Sequence, residues 1–452
     1  MPRMTRRRFV SLSAGGAAAL TAGTAALTAP SPARAASANE KVVLALVGAG
    51  GRGHDLALKF AKVENVEFKY VCEVNEARGA GTVKDLAEVQ GRSPKRIVDM
   101  RNVFADRDVH GVVIATPEHW HALATIWACQ AGKDVYVEKT PSLTIWEGRK
   151  MIEAARKYKR IVQVGTQNRS APYAASAREF IKSGQLGKVV HVKVYNLLGV
   201  GGGLVSPQAD SAAPAGLNWD LWLGPAPERP FNPGRMNWYI WWDYCGGTLS
   251  GDGIHQLDLT RMVLGDPPPP RVTYTAGGRL AFEDKHEMPD MQAITYDYGT
   301  FTMTCENGTF APYLKKIPPE VRFSDKFPNW PTTGTRVEIY GTKRLMYLGR
   351  HGGGWQAIDE DGKIAAQDPG YFPDKWHQPN FVDCIRSRQR ANGDIEQAHL
   401  SACLVHFGNL ACRTGNQRLV FDPKTETFVG NDAANRFLKP AYRKEYRVPD
   451  EV

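Results

Sequence analysis

Four residues near the start of the chain have types and a spacing that could hold a ligand. Gly48, Gly50 and Gly53 form a G-x-G-x-x-G loop after six apolar residues, and Glu73 follows twenty residues after the last glycine. The first glycine permits a tight turn, the second lets the backbone approach a pyrophosphate, and the third lets a helix pack closely on the strand. N–H groups at the start of that helix then face the phosphates. An ordinary glycine-rich turn is the alternative, but the flanking strand, helix and acidic residue favour dinucleotide binding.

Lys139 is a candidate catalytic residue. It follows the apolar segment 134–137, in the sequence Glu138-Lys139-Thr140-Pro141, which predicts a turn. A lysine just past the end of a strand can hydrogen-bond a substrate oxygen and stabilise a developing alkoxide. A solvated surface lysine is the alternative, and the strand-end position favours the functional interpretation.

His255 is a second candidate, within the sequence G-D-G-I-H-Q-L-D of residues 251–258. A helix that starts near Gly253 places Asp252 about one turn before the histidine and Asp258 one turn after it. A histidine flanked in this way could act as a general base with an orienting carboxylate. In the alternative interpretation Asp252 caps the helix and Asp258 pairs with Arg261 at the surface. The residues alone do not decide between the two.

The elements that must position these residues alternate between strand and helix over the first part of the chain. Strands are predicted at 42–47, 68–73, 109–115, 134–137 and 161–164, and helices at 54–62, 122–131 and 143–158. This alternation predicts a doubly wound parallel sheet of the Rossmann type, an α/β fold. Ligands bind beyond the carboxyl ends of such strands, so the glycine loop and segments 116–121 and 138–141 should converge on one crevice.

The pattern changes after Thr166. Helices are predicted at 174–182, 253–264, 380–387 and 395–413, and strands at 189–195, 293–298, 300–304 and 336–340. This mixture predicts a second α/β domain with a mainly antiparallel sheet. We therefore expect a Rossmann domain over 36–166 and a second domain over 167–452.

These motifs resemble the glucose–fructose oxidoreductase/inositol dehydrogenase family (Gfo/Idh/MocA) over residues 40–440. The matching pieces are the glycine loop, Ala115-Thr116-Pro117 with His121, the sequence 138–141, and the sequence 253–258. The resemblance implies hydride transfer between a nicotinamide and a hydroxyl of a carbohydrate or cyclitol, with Lys139 and His255 as catalytic residues. It also implies that the second domain, 167–452, is a substrate and oligomerisation domain with an open sheet. Two positions depart from the family pattern, because Thr140 stands where proline is usual and Gly251 stands where the family commonly has its acid.

The predicted site residues fall into three groups. The catalytic residues are Lys139, His255 and Asp252. The cofactor-binding residues are Gly48, Gly50, Gly51, Arg52, Gly53, Glu73, Thr116, Pro117, His121, Glu138 and Lys139. The substrate-binding residues are Lys139, Arg169, Trp238, Tyr239, Trp242, Asp252 and His255.

Aromatic residues concentrate between 218 and 244, where five of the eleven tryptophans lie: Trp219, Trp222, Trp238, Trp241 and Trp242. Aromatic faces bind sugar rings, and they also pack domains together. Packing is the favoured interpretation for Trp219 and Trp222, whereas for the stretch 238–244 both interpretations stand equally.

Composition excludes several other classes of protein. The chain is 42% hydrophobic and 23% charged, as in an ordinary globular enzyme. Its seven cysteines are spread singly, which argues against a disulfide framework, and no carboxylate or cysteine completes a ligand set with His119 and His121, so no metal is expected. The absence of a basic run makes nucleic acid an unexpected partner.

The first thirty-five residues read as an export signal. Residues 5–10, T-R-R-R-F-V, form a twin-arginine pattern, residues 12–29 are uncharged, and Ala33-Arg34-Ala35 is a cleavage site. Removal of five arginines and no acid lowers the formal charge from +10 to +5. An uncleaved membrane anchor is the alternative, but the segment is rich in small residues. We expect export to the periplasm or another extracytoplasmic site, with no membrane span after cleavage.

The sequence therefore predicts an exported oxidoreductase that acts on a sugar, sugar derivative or cyclitol and forms a homo-oligomer. NAD is expected over NADP, because Glu73 can accept hydrogen bonds from the ribose hydroxyls and its charge repels a 2′-phosphate. Two alternatives remain: a glycosidase that uses NAD for transient ring oxidation, and a non-catalytic sugar-binding protein. Because free nicotinamide cofactor is not maintained outside the cytoplasm, we expect the dinucleotide to stay bound through the catalytic cycle.

Overall fold

The computed structural model describes residues 41–199, 208–284 and 286–452. The predicted export signal, 1–35, lies outside the described residues. None of the helices in the described ranges is long and apolar enough to cross a bilayer. All seven cysteines are free and six of them are buried, so the structure confirms that most are small core residues.

The first part of the chain folds around a six-stranded sheet. Its elements are β1 (Val42–Val47), α1 (Gly51–Phe60), β2 (Val66–Cys72), α2 (Glu76–Gln90), β3 (Lys95–Ile97), α3 (Met100–Phe104), β4 (Gly111–Ile114), α4 (His121–Gln130), β5 (Asp134–Val137), α5 (Ile145–Lys157) and β6 (Val162–Val164). All strands are parallel, in the order β3-β2-β1-β4-β5-β6. Every residue of β4 and β5 is buried, as expected of central strands covered on both faces. The predicted Rossmann sheet is therefore confirmed.

The sequence analysis missed α2, β3 and α3. Gly79 and Gly81 lie inside α2, and glycine in a helix interior costs about 1 kcal/mol relative to alanine, which weakens the local signal for a helix. The structure retains the helix because one of its faces packs on the sheet, where Thr82 and Leu86 are buried.

The second part of the chain builds a ten-stranded sheet. Its elements are α6 (Pro172–Lys182), β7 (Val189–Leu197), α7 (Trp219–Leu223), α8 (Ile254–Val263), β8 (Val272–Gly278), β9 (Met291–Asp297), β10 (Thr302–Gly308), α9 (Pro319–Arg322), β11 (Arg336–Gly341), β12 (Leu345–Gly349), β13 (Trp355–Ile358), β14 (Ile364–Asp368), α10 (Asp374–Ser387), α11 (Ile395–Arg413), β15 (Leu419–Asp422), β16 (Thr427–Phe428) and α12 (Asp432–Asn435). The strand order is β14-β13-β12-β11-β7-β10-β9-β8-β15-β16. Only β7 and β10 pair in parallel among these neighbours, so the described sheet is mainly antiparallel, as predicted.

Helices α8 and α11 pack against each other and against this sheet, α8 on β7 and α11 on β8. Helix α8 carries the predicted catalytic residue His255. All ten residues of α8 are buried, and its hydrophobic side chains join the core of the second sheet. A π-helical turn, Leu249–Gly253, leads directly into α8. Such turns are rare and often lie at functional sites.

Helix α10 begins six residues before the predicted start at 380. Pro379 suggested that the helix starts after it, yet Pro379 lies within the helix. The apolar residues Phe381 and Ile385 pack into the core of the first sheet beside Leu44 and Phe60. The two sheets therefore divide near residue 166, but a helix from the second part of the chain completes the core of the first.

Candidate active site

Two cavities adjoin at the carboxyl ends of β1, β4 and β5. The loop cavity, about 560 Å³, is lined by the glycine loop, the end of β2 and the start of α2. The inner cavity, about 880 Å³, lies between the turn after β5, the start of α8 and the second sheet. Both cavities are lined by Arg52, Ala115, Thr116, Trp238 and Tyr239. A ligand that spans them would run from the glycine loop to the predicted catalytic residues.

The glycine loop fits a dinucleotide. A Cβ at Gly48 would lie 2.8 Å from the backbone of Ala115, and one at Gly53 would lie 2.0 Å from the carbonyl oxygen of Gly48. At Gly50 and Gly51 a Cβ would meet no described atom within 4 Å, so these two face open space. The first turn of α1 holds no acidic side chain, and no described side chain caps it. Its N–H groups therefore remain available to phosphate oxygens.

Glu73 lies at the end of β2 and ties the glycine loop to that strand. Its Oε2 accepts a hydrogen bond from the N–H of Ala49 at 2.6 Å, and its Oε1 accepts one from the N–H of Asn75 at 2.8 Å. The carboxylate lines the loop cavity, as do Pro117 and Arg78. Because a carboxylate offers about four acceptor positions, Glu73 can still receive hydrogen bonds from ribose hydroxyls.

His121 has a different position from the one predicted. It is absent from the linings of both described cavities, and its ring nitrogens lie 2.7 Å from the backbone oxygen of Thr140 and 2.9 Å from that of Thr116. The prediction that His121 contacts the cofactor is therefore corrected. The ring connects the turns that follow β4 and β5, and it is buried behind them.

Glu138 and Arg52 form an ion pair at the junction of the two cavities. The Nε of Arg52 donates to Oε1 of Glu138 at 2.9 Å, and its Nη1 lies 3.4 Å from Oδ2 of Asp374 on α10. Glu138 is buried and lines the inner cavity. The pair therefore joins α1 to the turn after β5 and fixes the first side of the site.

Lys139 points from the turn after β5 into the inner cavity. Its Nζ donates to the carbonyl oxygen of Gly251 at 2.5 Å. Burial alone would lower the pKa of Lys139, but the neighbouring Tyr239 and Glu138 outweigh burial and raise it above its ordinary value. The ammonium is therefore charged at neutral pH and can stabilise negative charge on a substrate oxygen.

His255 lies in the first turn of α8 and also lines the inner cavity. Its ring is 4.3 Å from the ring of His351 in an edge-to-face contact, and its buried Nδ1 has no hydrogen-bond partner among the described residues. Burial lowers the pKa of His255 well below its ordinary value, and His351 and Arg350 act in the same direction. The imidazole is therefore neutral at neutral pH, the form that can accept a proton.

Asp252 does not have the orienting role that the sequence suggested. Its carboxylate pairs with Nζ of Lys316 at 2.6 Å and with Nη2 of Arg350 at 2.7 Å. Burial alone would raise the pKa of Asp252, but Arg350 and Lys316 hold it well below the usual range. Asp252 lines the inner cavity as a permanent anion and is therefore a poor base. It does not cap α8, because no described side chain donates or accepts a capping hydrogen bond there.

Arg169 is also assigned to a different role by the structure. It pairs with Asp258 at 2.8 Å and with Asp266 at 2.9 Å, and only 5% of its side chain is exposed. Asp258, which the alternative interpretation put at the surface beside Arg261, is buried and also accepts from Ser401. Because neither charged group lines the inner cavity, the predicted substrate contact of Arg169 is corrected to a structural ion pair beneath α8.

The aromatic residues divide between the site and the core. Trp238 and Tyr239 stack at 3.8 Å and line both cavities. Trp242 instead lines a separate cavity and packs under the guanidinium of Arg413 at 4.5 Å, so its predicted substrate contact is corrected. Trp219 and Trp222 stack on each other at 4.6 Å, as the packing interpretation predicts.

Four residues of the site region escaped the sequence analysis. Three of them, Lys316, Arg350 and His351, come from the second sheet and its loops and line the inner cavity. The sequence offers one signal for Arg350 and His351, which are two polar residues between an apolar strand and the glycines 352–354. It offers no comparable signal for Lys316. The fourth, Glu118, is buried behind the turn that holds Lys139, and its Oε2 lies 2.7 Å from Oγ of Ser250.

Within the described ranges, no group of three or more His, Cys, Asp or Glu side chains is arranged to hold a metal ion.

Two models of one oxidoreductase family match the chain. The NAD-binding Rossmann model matches residues 42–166, and the C-terminal alpha/beta model matches residues 174–301 and 361–448.

Curated relatives match parts of the chain. Inositol 2-dehydrogenase of Salmonella typhimurium (strain LT2) is 30% identical over 155 residues, which are 33% of this chain and 45% of that protein. Alpha-N-acetylgalactosaminidase of Shewanella oneidensis is 26% identical over 158 residues, 34% of each protein. In both cases the match spans less than half of the relative.

Among solved structures, levoglucosan dehydrogenase in complex with NADH and levoglucosan shares the fold. Its TM-score is 0.62 at 16% identity, over 84% of this chain and 99% of that one. The two family models extend over both sheets, and the glycine loop fits the dinucleotide that the first model describes. The chain therefore belongs to the Gfo/Idh/MocA family of NAD-binding oxidoreductases.

Proposed function

We propose that the protein transfers a hydride between nicotinamide and a carbon that carries a hydroxyl or carbonyl group on a sugar, sugar derivative or cyclitol. The observation that carries this proposal is the meeting of Lys139 and His255 in one cavity that adjoins the glycine-loop cavity. Inositol 2-dehydrogenase and levoglucosan dehydrogenase, by their names, act on a cyclitol and an anhydrosugar, which supports this substrate class.

The two side chains divide the work on the reacting hydroxyl. His255 takes the hydroxyl proton, because its imidazole is neutral and buried beside the cavity. Lys139 donates a hydrogen bond to the same oxygen and stabilises the charge that develops on it. The cofactor, when bound, supplies the hydride acceptor or donor. Trp238 and Tyr239 line the passage between the two cavities and exclude water from the reacting carbon.

The second candidate is a glycosidase that oxidises its substrate transiently and restores the cofactor in each cycle. The similarity to an alpha-N-acetylgalactosaminidase favours this candidate. Transient oxidation begins with the same transfer of a hydride from a hydroxyl-bearing carbon, so Lys139 and His255 serve this candidate equally well.

One experiment separates these candidates from a non-catalytic sugar-binding protein. The purified protein is incubated with sugars and cyclitols while absorbance of the reduced nicotinamide is followed, and matched glycosides are assayed for cleavage in parallel. Net change in nicotinamide absorbance supports the dehydrogenase, and cleavage without net change supports the glycosidase. Sugar binding without either reaction would contradict both enzyme proposals.

We further propose that the protein is exported by the twin-arginine route to the periplasm or another extracytoplasmic site. The support is the sequence of residues 5–35. Replacement of Arg6 and Arg7 by lysine should retain the protein in the cytoplasm, as measured by cell fractionation. Unchanged export of that variant would contradict the proposed route.

We also propose a homo-oligomer that associates through the second sheet. Alternation along β7 and β11 places Tyr195 and Tyr340 on the face opposite the buried core residues Val194 and Ile339, and both tyrosines are partly exposed. Aromatic side chains are enriched in protein interfaces. Light scattering coupled to size-exclusion chromatography measures the assembly, and a monomer at micromolar concentration would contradict the proposal.

A further inference from the structure

We propose that the substrate carries an anionic oxygen group, a carboxylate or a phosphate, and that Arg350 and Lys316 bind this group in the inner cavity. The inference rests on the proposed function, because it concerns the same cavity. It narrows the substrate class to acidic sugars or cyclitols.

Arg350 is a buried cation whose hydrogen-bonding capacity is only partly used. Its side chain is 6% exposed, and its Nη2 donates to Oδ1 of Asp252 at 2.7 Å. Its Nε and Nη1 are buried and find no hydrogen-bond partner in the described parts of the chain. Buried guanidinium N–H groups are costly to leave unpaired, so their retention at a cavity wall points to a partner from outside the chain.

The charge around Arg350 is not balanced. Asp252 is the carboxylate that pairs with both Arg350 and Lys316. A third cation, Arg322, lies close enough to Arg350 for each to feel the charge of the other. Burial lowers the pKa of Lys316, and Arg350 acts in the same direction, although Asp252 opposes both. Three cations therefore surround one described anion, and this excess favours an anionic ligand.

Among the other charged residues that line the inner cavity, two arginines are paired with carboxylates, whereas Lys139 and Lys315 donate to the backbone oxygens of Gly251 and Pro312. Arg52 pairs with Glu138, and Arg279 pairs with Asp284 and lies 3.6 Å from Asp290. These pairs leave little net charge on their own sides of the cavity. The cavity therefore carries an excess of positive charge, and Arg350 is the buried part of it whose N–H groups lack partners among the described residues. Its place at one wall gives the cavity a polarity that could orient a substrate.

The cationic group lies beside the reacting centre. His351 follows Arg350 in the chain, and its ring contacts the ring of His255 at 4.3 Å. The charge of Arg350 also contributes to the lowered pKa of His255, which requires that the two groups be close. A single small molecule could therefore place a hydroxyl at His255 and an acidic substituent at Arg350.

The test measures binding to the NAD-loaded protein by isothermal titration calorimetry. The probes are D-glucose with D-glucuronate, D-galactose with D-galacturonate, and D-glucose 6-phosphate. The acids should bind at least about tenfold more tightly than the neutral sugars, and the preference should decrease with salt. Preference for the uronates identifies a carboxylate site, and preference for the sugar phosphate identifies a phosphate site.

Variants connect the preference to the proposed residues. Arg350→Gln should abolish the preference for acids. Lys316→Gln should reduce that preference without loss of bound dinucleotide, because the side chain of Lys316 is 45% exposed and its replacement should leave the fold intact. Arg271→Gln is the matched control, because Arg271 is a 68% exposed arginine that does not line the inner cavity. If Arg350→Gln fails to fold, Lys316→Gln still tests the proposal.

Each outcome has a separate meaning for the two proposals. Neutral sugars that bind as tightly as the acids, or an absence of binding by every acid, would overturn the anion site, and a preference unchanged in Lys316→Gln would do the same. Nicotinamide reduction by neutral sugars alone would overturn the anion site and leave the proposed function standing. A clear preference for acids without any nicotinamide reaction would support the anion site and contradict the dehydrogenase.

Discussion

At the scale of single residues, the site combines a charged lysine with a neutral histidine, both enclosed by protein. Lys139 remains cationic because Tyr239 and Glu138 outweigh the effect of burial, whereas His255 loses its proton because burial and neighbouring cations act together. Opposite shifts in neighbouring groups allow an acid and a base to coexist at one pH.

Lys139→Met should lower kcat by about 10²–10³ while the dinucleotide stays bound, since the lysine faces the inner cavity and not the glycine loop. Turnover is measured with the best substrate from the sugar screen, and the bound dinucleotide is measured after denaturation. A variant that loses the cofactor but keeps its chemistry when NAD is added back would contradict this role.

His255→Ala should lower turnover by about 10²–10⁴ at neutral pH, with partial recovery at high pH, where hydroxide replaces the base. Because the pKa of His255 lies well below its ordinary value, the base is already deprotonated at pH 6.5. The profile of kcat/KM against pH for the native enzyme should therefore show no acid limb near pH 6.5. A limb at that pH that disappears in His255→Ala would show that the pKa is not lowered.

At the scale of elements, the site depends on the turns that join strands to helices. Thr140 donates from Oγ1 to the carbonyl oxygen of Ser250 at 3.0 Å, which joins the turn after β5 to the π-helical turn before α8. Glu118, in the turn after β4, lies 2.7 Å from the hydroxyl of Ser250. The positions of Lys139 and His255 are thus set by contacts between three turns.

The glycine loop allows a matched test of packing against ligand approach. Gly53→Ala places a Cβ 2.0 Å from the oxygen of Gly48 and should lower the melting temperature and NAD affinity together. In Gly50→Ala, the Cβ meets no described atom within 4 Å, so stability should be retained while NAD affinity falls. If Gly50→Ala still binds NAD tightly, the pyrophosphate does not approach the backbone at Gly50, and the predicted role of this glycine is wrong.

Glu118 should make stability depend on pH. Burial raises its pKa to about 7 from an ordinary value near 4.5, so the folded state keeps a proton that the unfolded state releases. Below the unfolded pKa, Glu118 has no effect on stability. As pH rises from 4.5 through 7, Glu118 lowers the free energy of unfolding by on the order of 3 kcal/mol.

Glu118→Gln mimics the protonated form, so the free energy of unfolding should fall less steeply between pH 4.5 and 7 than in the native protein. Chemical denaturation at several pH values measures this slope. Glu147 has the same raised pKa and remains in the variant, so the slope should become shallower without vanishing. Glu88→Gln, at an exposed position on α2, is the control. A slope unchanged in Glu118→Gln would contradict the shift.

At the scale of the whole molecule, both sheets contribute to one site. The first sheet supplies the glycine loop and Lys139, and the second part of the chain supplies His255, Arg350 and Lys316. Residues more than two hundred positions apart therefore line the same cavity, and the two cavities adjoin where the two parts of the chain join.

If the protein works outside the cytoplasm, its dinucleotide should remain bound through the cycle, with reoxidation by a second carbonyl substrate. Protein purified without added cofactor should release close to one dinucleotide per chain when denatured, mostly NAD because Glu73 lines the loop cavity. Such retention requires slow dissociation of the dinucleotide, and differences in affinity between related complexes arise mostly from the dissociation rate. Nearly cofactor-free protein that needs millimolar NAD would contradict the closed cycle, and released NADP in equal amount would contradict the preference.

Much of the first domain could be predicted because its signals are local. The apolar runs of β1 and β5 and the glycines between β1 and α1 determine strand, turn and helix within short windows. Lys139 was found for the same reason, because its position at a strand end fixes its place in a parallel sheet. The weak α2 was missed, since its stability comes from packing on the sheet and not from its own residues.

The partners of charged residues were decided by the tertiary structure. Asp252 pairs with Lys316 and Arg350 and not with His255, and Arg169 pairs with Asp258 below the site. These contacts join segments that are distant in the chain, and a charged group takes whichever counterion the fold brings within about 4 Å. The sequence by itself determined the dinucleotide loop and the place of Lys139 at a strand end, because backbone turns are local. The electrostatic environment of the inner cavity required the packed structure, because burial and opposite charges act through space.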